Sequence, residues 1–262
     1  MTTALTAEYS DVLQTAIDEL EVALPPQIDQ LDQDEEWIVV NTPDGWRKIR
    51  LHNYGDVYSI PGLYEKWVYE IFQCRSPVEV SGRLIPAVEA AGQSPAELTV
   101  LDLGAGNGYV AGVLRQRGVE RFVGVDIFKE AAEATHRDRP GLYDDYVVGD
   151  ITALTDEQEQ RLDRSFNCLT VVAALGFGDI PPEVFINAFN RIDDGGWIAF
   201  TIKRDFVRKE DRSGFAKLID DMVDGGHLDV AARDPFVHRT TAKGEKLEYE
   251  AFVGRKHADY KA

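Results

Sequence analysis

The order of apolar and polar positions divides this chain into three textures. Leu5, Val12, Leu13, Ile17, Leu20 and Leu24 recur at near-helical spacing until Pro25-Pro26 breaks the pattern. Residues 5–24 therefore read as one amphipathic helix whose apolar face must pack on something, either its own domain or a second copy. Residues 37–51 form two β-rich runs around Thr42-Pro-Asp-Gly45. Proline pre-sets φ there and glycine supplies a positive-φ position, which predicts a β-hairpin. An aromatic segment with Tyr54, Tyr58, Tyr64, Trp67, Tyr69 and Phe72 then leads into a helix over 77–91, and Gly92-Gln-Ser-Pro95 reads as a linker.

From Leu98 the pattern changes to alternation of strand and helix. Leu98–Leu103, Phe122–Ile127, Tyr146–Ile151, Phe166–Ala174 and Trp197–Ile202 are the near-continuous apolar runs of parallel strands buried on both faces. Between and after them, 108–117, 129–137, 155–162, 182–192 and 213–224 have helical character. This alternation implies right-handed crossovers and an open, Rossmann-like α/β sheet flanked by helices. The last two strand-like runs, Leu228–Arg239 and Lys246–Arg255, flank Thr241-Ala-Lys-Gly244 and pair antiparallel at one edge. Residues 1–94 are thus read as a helix-and-hairpin lid region and 95–262 as the α/β domain.

Composition narrows the partners. The chain has 262 residues and a net charge of −18, from 46 acidic against 28 basic side chains. Such a surface repels phosphate backbones, which disfavours nucleic acid as a partner. The start of the sequence lacks the basic and apolar regions of a leader, and no apolar run approaches the length of a membrane span, so a cytoplasmic location is expected. Cys74 and Cys168 are too few for a disulfide framework or a metal cage, and no metal is expected.

In open α/β sheets, ligands sit beyond the carboxyl ends of the strands, and the informative residues fall there. The first strand ends in Asp102-Leu-Gly-Ala-Gly-Asn-Gly108, where Gly104, Gly106 and Gly108 let the backbone turn sharply close to a ligand. The second ends in Asp126, whose carboxylate can accept from both ribose hydroxyls. The third ends in Asp150, which can accept from an exocyclic adenine amine, with Ile127 and Ile151 able to sandwich the ring. A dinucleotide fingerprint needs glycine where Tyr109 stands, and it has no fixed place for the third acid.

The stretches Val100-Leu-Asp-Leu-Gly-Ala-Gly-Asn-Gly108, Val123-Gly-Val-Asp-Ile127 and Val148-Gly-Asp-Ile151 resemble motifs I, post-I and II of class I S-adenosylmethionine-dependent methyltransferases. More narrowly, Pro140-Gly-Leu-Tyr-Asp-Asp-Tyr146 and Ala173-Ala-Leu-Gly-Phe-Gly-Asp179 are similar to the methyltransferase-like proteins of the Williams–Beuren region type. The resemblance implies a seven-stranded mixed sheet with its last strand antiparallel. It also implies a methionine moiety over Gly104, Ala105, Gly106, Asn107 and Gly108, ribose on Asp126, and adenine near Asp150. Asp102, Ile127, Ile151 and Ala173 join that set. The N-terminal helix and hairpin depart from the minimal family pattern.

Methyl transfer needs alignment and exclusion of water more than acid–base machinery, because the sulfonium is already activated. Tyr58 and Tyr64 are candidates to lie over the sulfonium, since aromatic faces attract cations, or simply to pack the lid. Arg75 is a candidate partner of the cofactor carboxylate. Tyr58, His238 and Asp179 are the weak catalytic candidates. The expected activity is methyl transfer from S-adenosylmethionine, leaving S-adenosylhomocysteine, to an O, N or S atom of a small-molecule acceptor. A non-catalytic cofactor-binding module that dimerises through its N-terminal region is the alternative, and a nicotinamide-dependent oxidoreductase ranks last.

Overall fold

The computed structural model describes residues 9–25, 35–176 and 179–261. The first helix, α1, covers Asp11–Glu19, with the Ser10 hydroxyl accepting from the Leu13 amide at its N-cap. It is shorter than the 5–24 predicted. Residues 5–8 lie outside the described part, and Val22–Ala23 (β1) leaves the helix to pair with β2 (Trp37–Thr42). Sheet pairing of β-branched Val22 overrides the helical period. Only part of the expected apolar face is covered: Leu13 and Ile17 are buried, but Val12 is 80% exposed and Leu24 46%. The hairpin is as expected, with β2 running into β3 (Gly45–Arg50) and Thr42 opposite Gly45.

Next come α2 (Tyr54–Ser59), a π-helical turn over Glu65–Ile71, and α3 (Ser76–Ala90). Ile38, Val40, Ile49, Val57, Leu63, Trp67 and Phe72 form a core of their own for this N-terminal region. Its last helix is shared: Val80, Leu84, Ile85 and Val88 of α3 pack with Leu98, Val100 and Val253 into one layer against the main sheet.

That sheet alternates as predicted: β4 (Thr99–Leu103), α4 (Tyr109–Arg115), β5 (Arg121–Asp126), α5 (Lys129–Asp138), β6 (Asp145–Val148), α6 (Asp156–Leu162), β7 (Phe166–Leu175), α7 (Pro182–Asn190), β8 (Ile192–Lys203), α8 (Phe215–Asp224), β9 (Leu228–Thr240) and β10 (Lys246–Lys256). The strand order is β6-β5-β4-β7-β8-β10-β9. β4 to β8 are parallel, whereas β10 is antiparallel to both β8 and β9. Helices α6, α7 and α8 supply Leu162, Phe185, Phe189, Phe215, Leu218 and Met222 to the core on one face, and α3 and α4 cover the other. The order reverses between β4 and β7, which opens a crevice at their carboxyl ends. Among the described residues no helix is long and apolar enough to cross a membrane, and no cluster of side chains suits a metal ion.

Candidate active site

A cavity of about 380 Å³ lies at that crevice, within the range of small-molecule sites. One end is built by the ends of β4, β5 and β6. Gly104 and Ala105 donate their amides to the Val125 carbonyl, and the Gly106 amide donates to Asp126 Oδ2 at 2.9 Å. Asp126 Oδ1 accepts from the Phe128 amide at 3.0 Å, so two backbone donors fix the carboxylate at the cavity wall. Burial pushes its pKa up, against those donors. Beside it Ile127 is 61% exposed, an apolar side chain on the rim of a polar crevice. Asp150 faces the same space. Its Oδ1 accepts from both the amide and the hydroxyl of Thr152, which hold its pKa down, and Ile151 is buried behind it.

The glycine loop divides its positions unequally. Gly104, at φ +67°, lines the cavity, and a Cβ there would approach Ala174 at 3.0 Å. Gly106, at φ +55°, instead makes room for the lid: a Cβ there would stand 2.6 Å from the Tyr58 hydroxyl. Asn107 donates to Glu65 Oε1 at 2.6 Å, and Gly108 caps α4 in a left-handed conformation. Ala105, Gly106, Asn107 and Gly108 thus lie behind the cavity wall and shape it from there. Asp102 is buried within the sheet and does not reach the cavity. Its carboxylate accepts from the Thr170 hydroxyl at 2.6 Å and the Tyr143 hydroxyl at 2.7 Å. Burial outweighs these two donors and pushes its pKa up to about 6.

The other end of the cavity is roofed by the N-terminal region. His52, Tyr54, Tyr58 and Tyr64 face Ala173, Ala174 and Asp179. Ala173 has φ +58° beside a register shift in β7, and its amide donates to the Thr201 hydroxyl. That strained irregularity lies where the end of β7 meets the cavity. His52, Tyr54, Tyr64, Ala173, Ala174 and Asp179 also line an adjoining recess of about 50 Å³, which reaches Cys74, His238 and Tyr249. His238 is buried in that recess, stacked on Tyr249 with ring centroids 4.0 Å apart, and its Nδ1 lies 2.7 Å from the Ser76 hydroxyl. Burial, then the nearby Arg239 charge, holds its pKa well below 6.5 and keeps it neutral. Burial pushes the Cys74 thiol up to about 11, so it stays protonated at neutral pH. Arg75 lies outside both cavities; it is largely exposed and paired with Glu79 at 2.6 Å.

The sequence carried no signal for the part that Glu65, Arg139, Tyr109, His52 and Tyr54 play here. Glu65, on the π-helical turn, is buried against Arg139 at 2.8 Å, while Arg139 also donates to the Asn107 carbonyl, tying lid to glycine loop. Tyr109 stacks on Tyr69 at 3.5 Å and so serves as an anchor for the lid. His52 and Tyr54 follow the hairpin, and no motif marks them.

The residues that line the cavity fit S-adenosylmethionine, with Asp126 and Asp150 as acceptors, Ile127 as exposed apolar surface and Gly104 as open backbone. A model of the methyltransferase domain family matches residues 79–239, more than half of the chain. The mitochondrial ubiquinone biosynthesis O-methyltransferase of Candida albicans is 31% identical over 114 residues, 42% of this chain; the chain spans only about a third (34%) of the length of that relative. Two solved structures resemble the fold. A candidate RNA methyltransferase of Pyrococcus horikoshii aligns with a TM-score of 0.52 at 16% identity, over 72% of this chain and 87% of that one. The N-methyltransferase NodS of Bradyrhizobium japonicum, in complex with S-adenosyl-L-homocysteine, aligns with a TM-score of 0.50 at 14% identity, over 73% and 92%. The β6-β5-β4-β7-β8-β10-β9 sheet and the family match agree: the chain belongs to the methyltransferase domain family.

Proposed function

We propose that the chain transfers the methyl group of S-adenosylmethionine, by direct displacement, to an O, N or S atom of a small-molecule acceptor. The observation that carries this reading is the roof of Tyr54, Tyr58 and Tyr64, which narrows the cavity beyond Gly104 to a recess of about 50 Å³. Space of that size accepts the reactive end of a small molecule. Among the described residues that line the main cavity there is no Lys or Arg, and the net charge of −18 further opposes a polyanionic acceptor. The relative from Candida albicans is an O-methyltransferase, which favours oxygen within the set.

In this reading Asp126 and Asp150 bind and orient the nucleoside. Gly104 and Ala174 set the depth of the methionine chain. The lid excludes water and aligns the acceptor, which is where most of the rate acceleration for a preactivated methyl group arises. When bound, the sulfonium supplies an activated methyl carbon for direct displacement.

Calorimetry with S-adenosylhomocysteine tests the donor site, and methyl transfer from labelled S-adenosylmethionine tests the acceptor. The purified chain should bind the former and label members of a panel of phenols, amines and thiols, leaving folded RNA unlabelled. Transfer to RNA with none to the small molecules would overturn the small-molecule reading.

A further inference from the structure

His52 and Asp179 are two ionisable side chains, far apart in sequence, that line both the main cavity and the recess. His52 Nδ1 stands 3.8 Å from Asp179 Oδ2, at ion-pair range and looser than a hydrogen bond. Both side chains are partly exposed, so the pair is open to the cavity. The His52 ring packs edge-on against Tyr54 with centroids 5.7 Å apart, which limits its rotation. A carboxylate beside one imidazole nitrogen favours the tautomer with its proton there, and leaves the other nitrogen as a base. Loose contacts of this kind commonly tighten when a substrate fills the site. The other histidine of this region, His238, is held neutral and engaged with Ser76 and Tyr249.

We propose that His52 is the general base of this site, positioned by Asp179, and that the acceptor is a weakly acidic hydroxyl, a phenol in chemical class. The proposal rests on the methyl-transfer reading above. The phenol O–H gives its proton to His52 Nε2 while Asp179 balances the imidazolium charge. The freed oxygen pair forms the O–C bond to the methyl carbon as the C–S bond breaks. The electron pair of that bond returns to sulfur as a neutral thioether, and His52 releases its proton to solvent. Tyr54 and Tyr64 supply flat apolar walls for the aromatic ring.

The test uses the full chain, a series of phenols of graded acidity, and the variants His52→Ala, His52→Gln and Asp179→Asn. Transfer to the least acidic phenols should fall at least 100-fold in kcat for both His52 variants. It should fall about tenfold for Asp179→Asn, with KM little changed. Nitrophenols already ionised at the assay pH should lose less than threefold. Independently of turnover, a nitrophenol buffered below its own pKa should develop its phenolate absorbance when it binds the wild-type chain with S-adenosylhomocysteine, and should not do so with His52→Gln. Equal losses for acidic and weakly acidic phenols would overturn the proposal. So would a tenfold weaker affinity of the His52 variants for S-adenosylhomocysteine, which would make His52 a cofactor contact. Labelling of amines or thiols alone would overturn it and leave the methyltransferase reading intact, whereas absence of S-adenosylhomocysteine binding to the wild type would count against that reading.

Discussion

The two ends of the cavity are made in different ways. The donor end comes from consecutive strand ends, where Gly104, Asp126 and Asp150 each sit within a few residues of the apolar run that places them. The roofed end is assembled from His52, Tyr54 and Tyr64 of the N-terminal region, Ala173 near the end of β7, Asp179 beyond it, and His238 and Tyr249 of the last two strands. The first is a local consequence of the α/β chain path. The second exists only because the lid docks, and its docking depends on buried polar contacts rather than on apolar area alone.

The contrast can be broken at the docking contact. Glu65→Ala leaves Arg139 buried without its partner and removes the acceptor for Asn107. A loss of about 3–5 kcal/mol is expected, read from the urea midpoint, because one member of a buried ion pair is left uncompensated. At the donor end, Asp126→Ala should keep the fold but weaken S-adenosylhomocysteine binding at least ~100-fold by calorimetry, the equivalent of about 3 kcal/mol for two hydrogen bonds to a charged group.

Two buried groups, Asp102 in the sheet and His238 in the recess, should also respond to pH with opposite sign. Asp102, with its pKa raised from 3.8 to about 6, binds its proton more tightly in the folded state. Its contribution to stability therefore falls as pH rises from about 4 to about 6, by up to about 3 kcal/mol. His238 is held below 6.5, so its contribution is intact above 6.5 and falls as pH drops below it. Asp102→Asn should thus steepen the loss of stability in acid, and His238→Gln should flatten it, in urea midpoints measured from pH 4 to 7. The smallest effect is expected at Ile127. Ile127→Ser should leave stability within about 0.5 kcal/mol, since the side chain is exposed. It should weaken S-adenosylhomocysteine about 5- to 10-fold if adenine rests on it.

Legibility followed the same division. The hairpin around Thr42–Gly45 and the strand–helix alternation from Leu98 were readable because turn chemistry and apolar period act over a few residues. The helix expected over 5–24 ended early because Val22 found a partner in Val40, eighteen residues away. Asp102 and Asp126 both stand at strand ends and look alike in sequence. One faces Thr170 and Tyr143 in the core and the other faces the cavity, a difference set by depth along the strand: Asp102 is level with Gly124, two residues short of Asp126. Tyr109 was read for what it denies a dinucleotide, and its stacking on Tyr69 depends on a lid that no local pattern could dock.

By itself, then, the sequence determined the class of fold and the donor motif, since periodicity and glycine and acid positions at strand ends are short-range properties. The tertiary structure alone decided which of those residues face the cavity and which lie in the core. It also brought His52 to Asp179 across more than a hundred residues, because that meeting follows from lid docking and long-range packing.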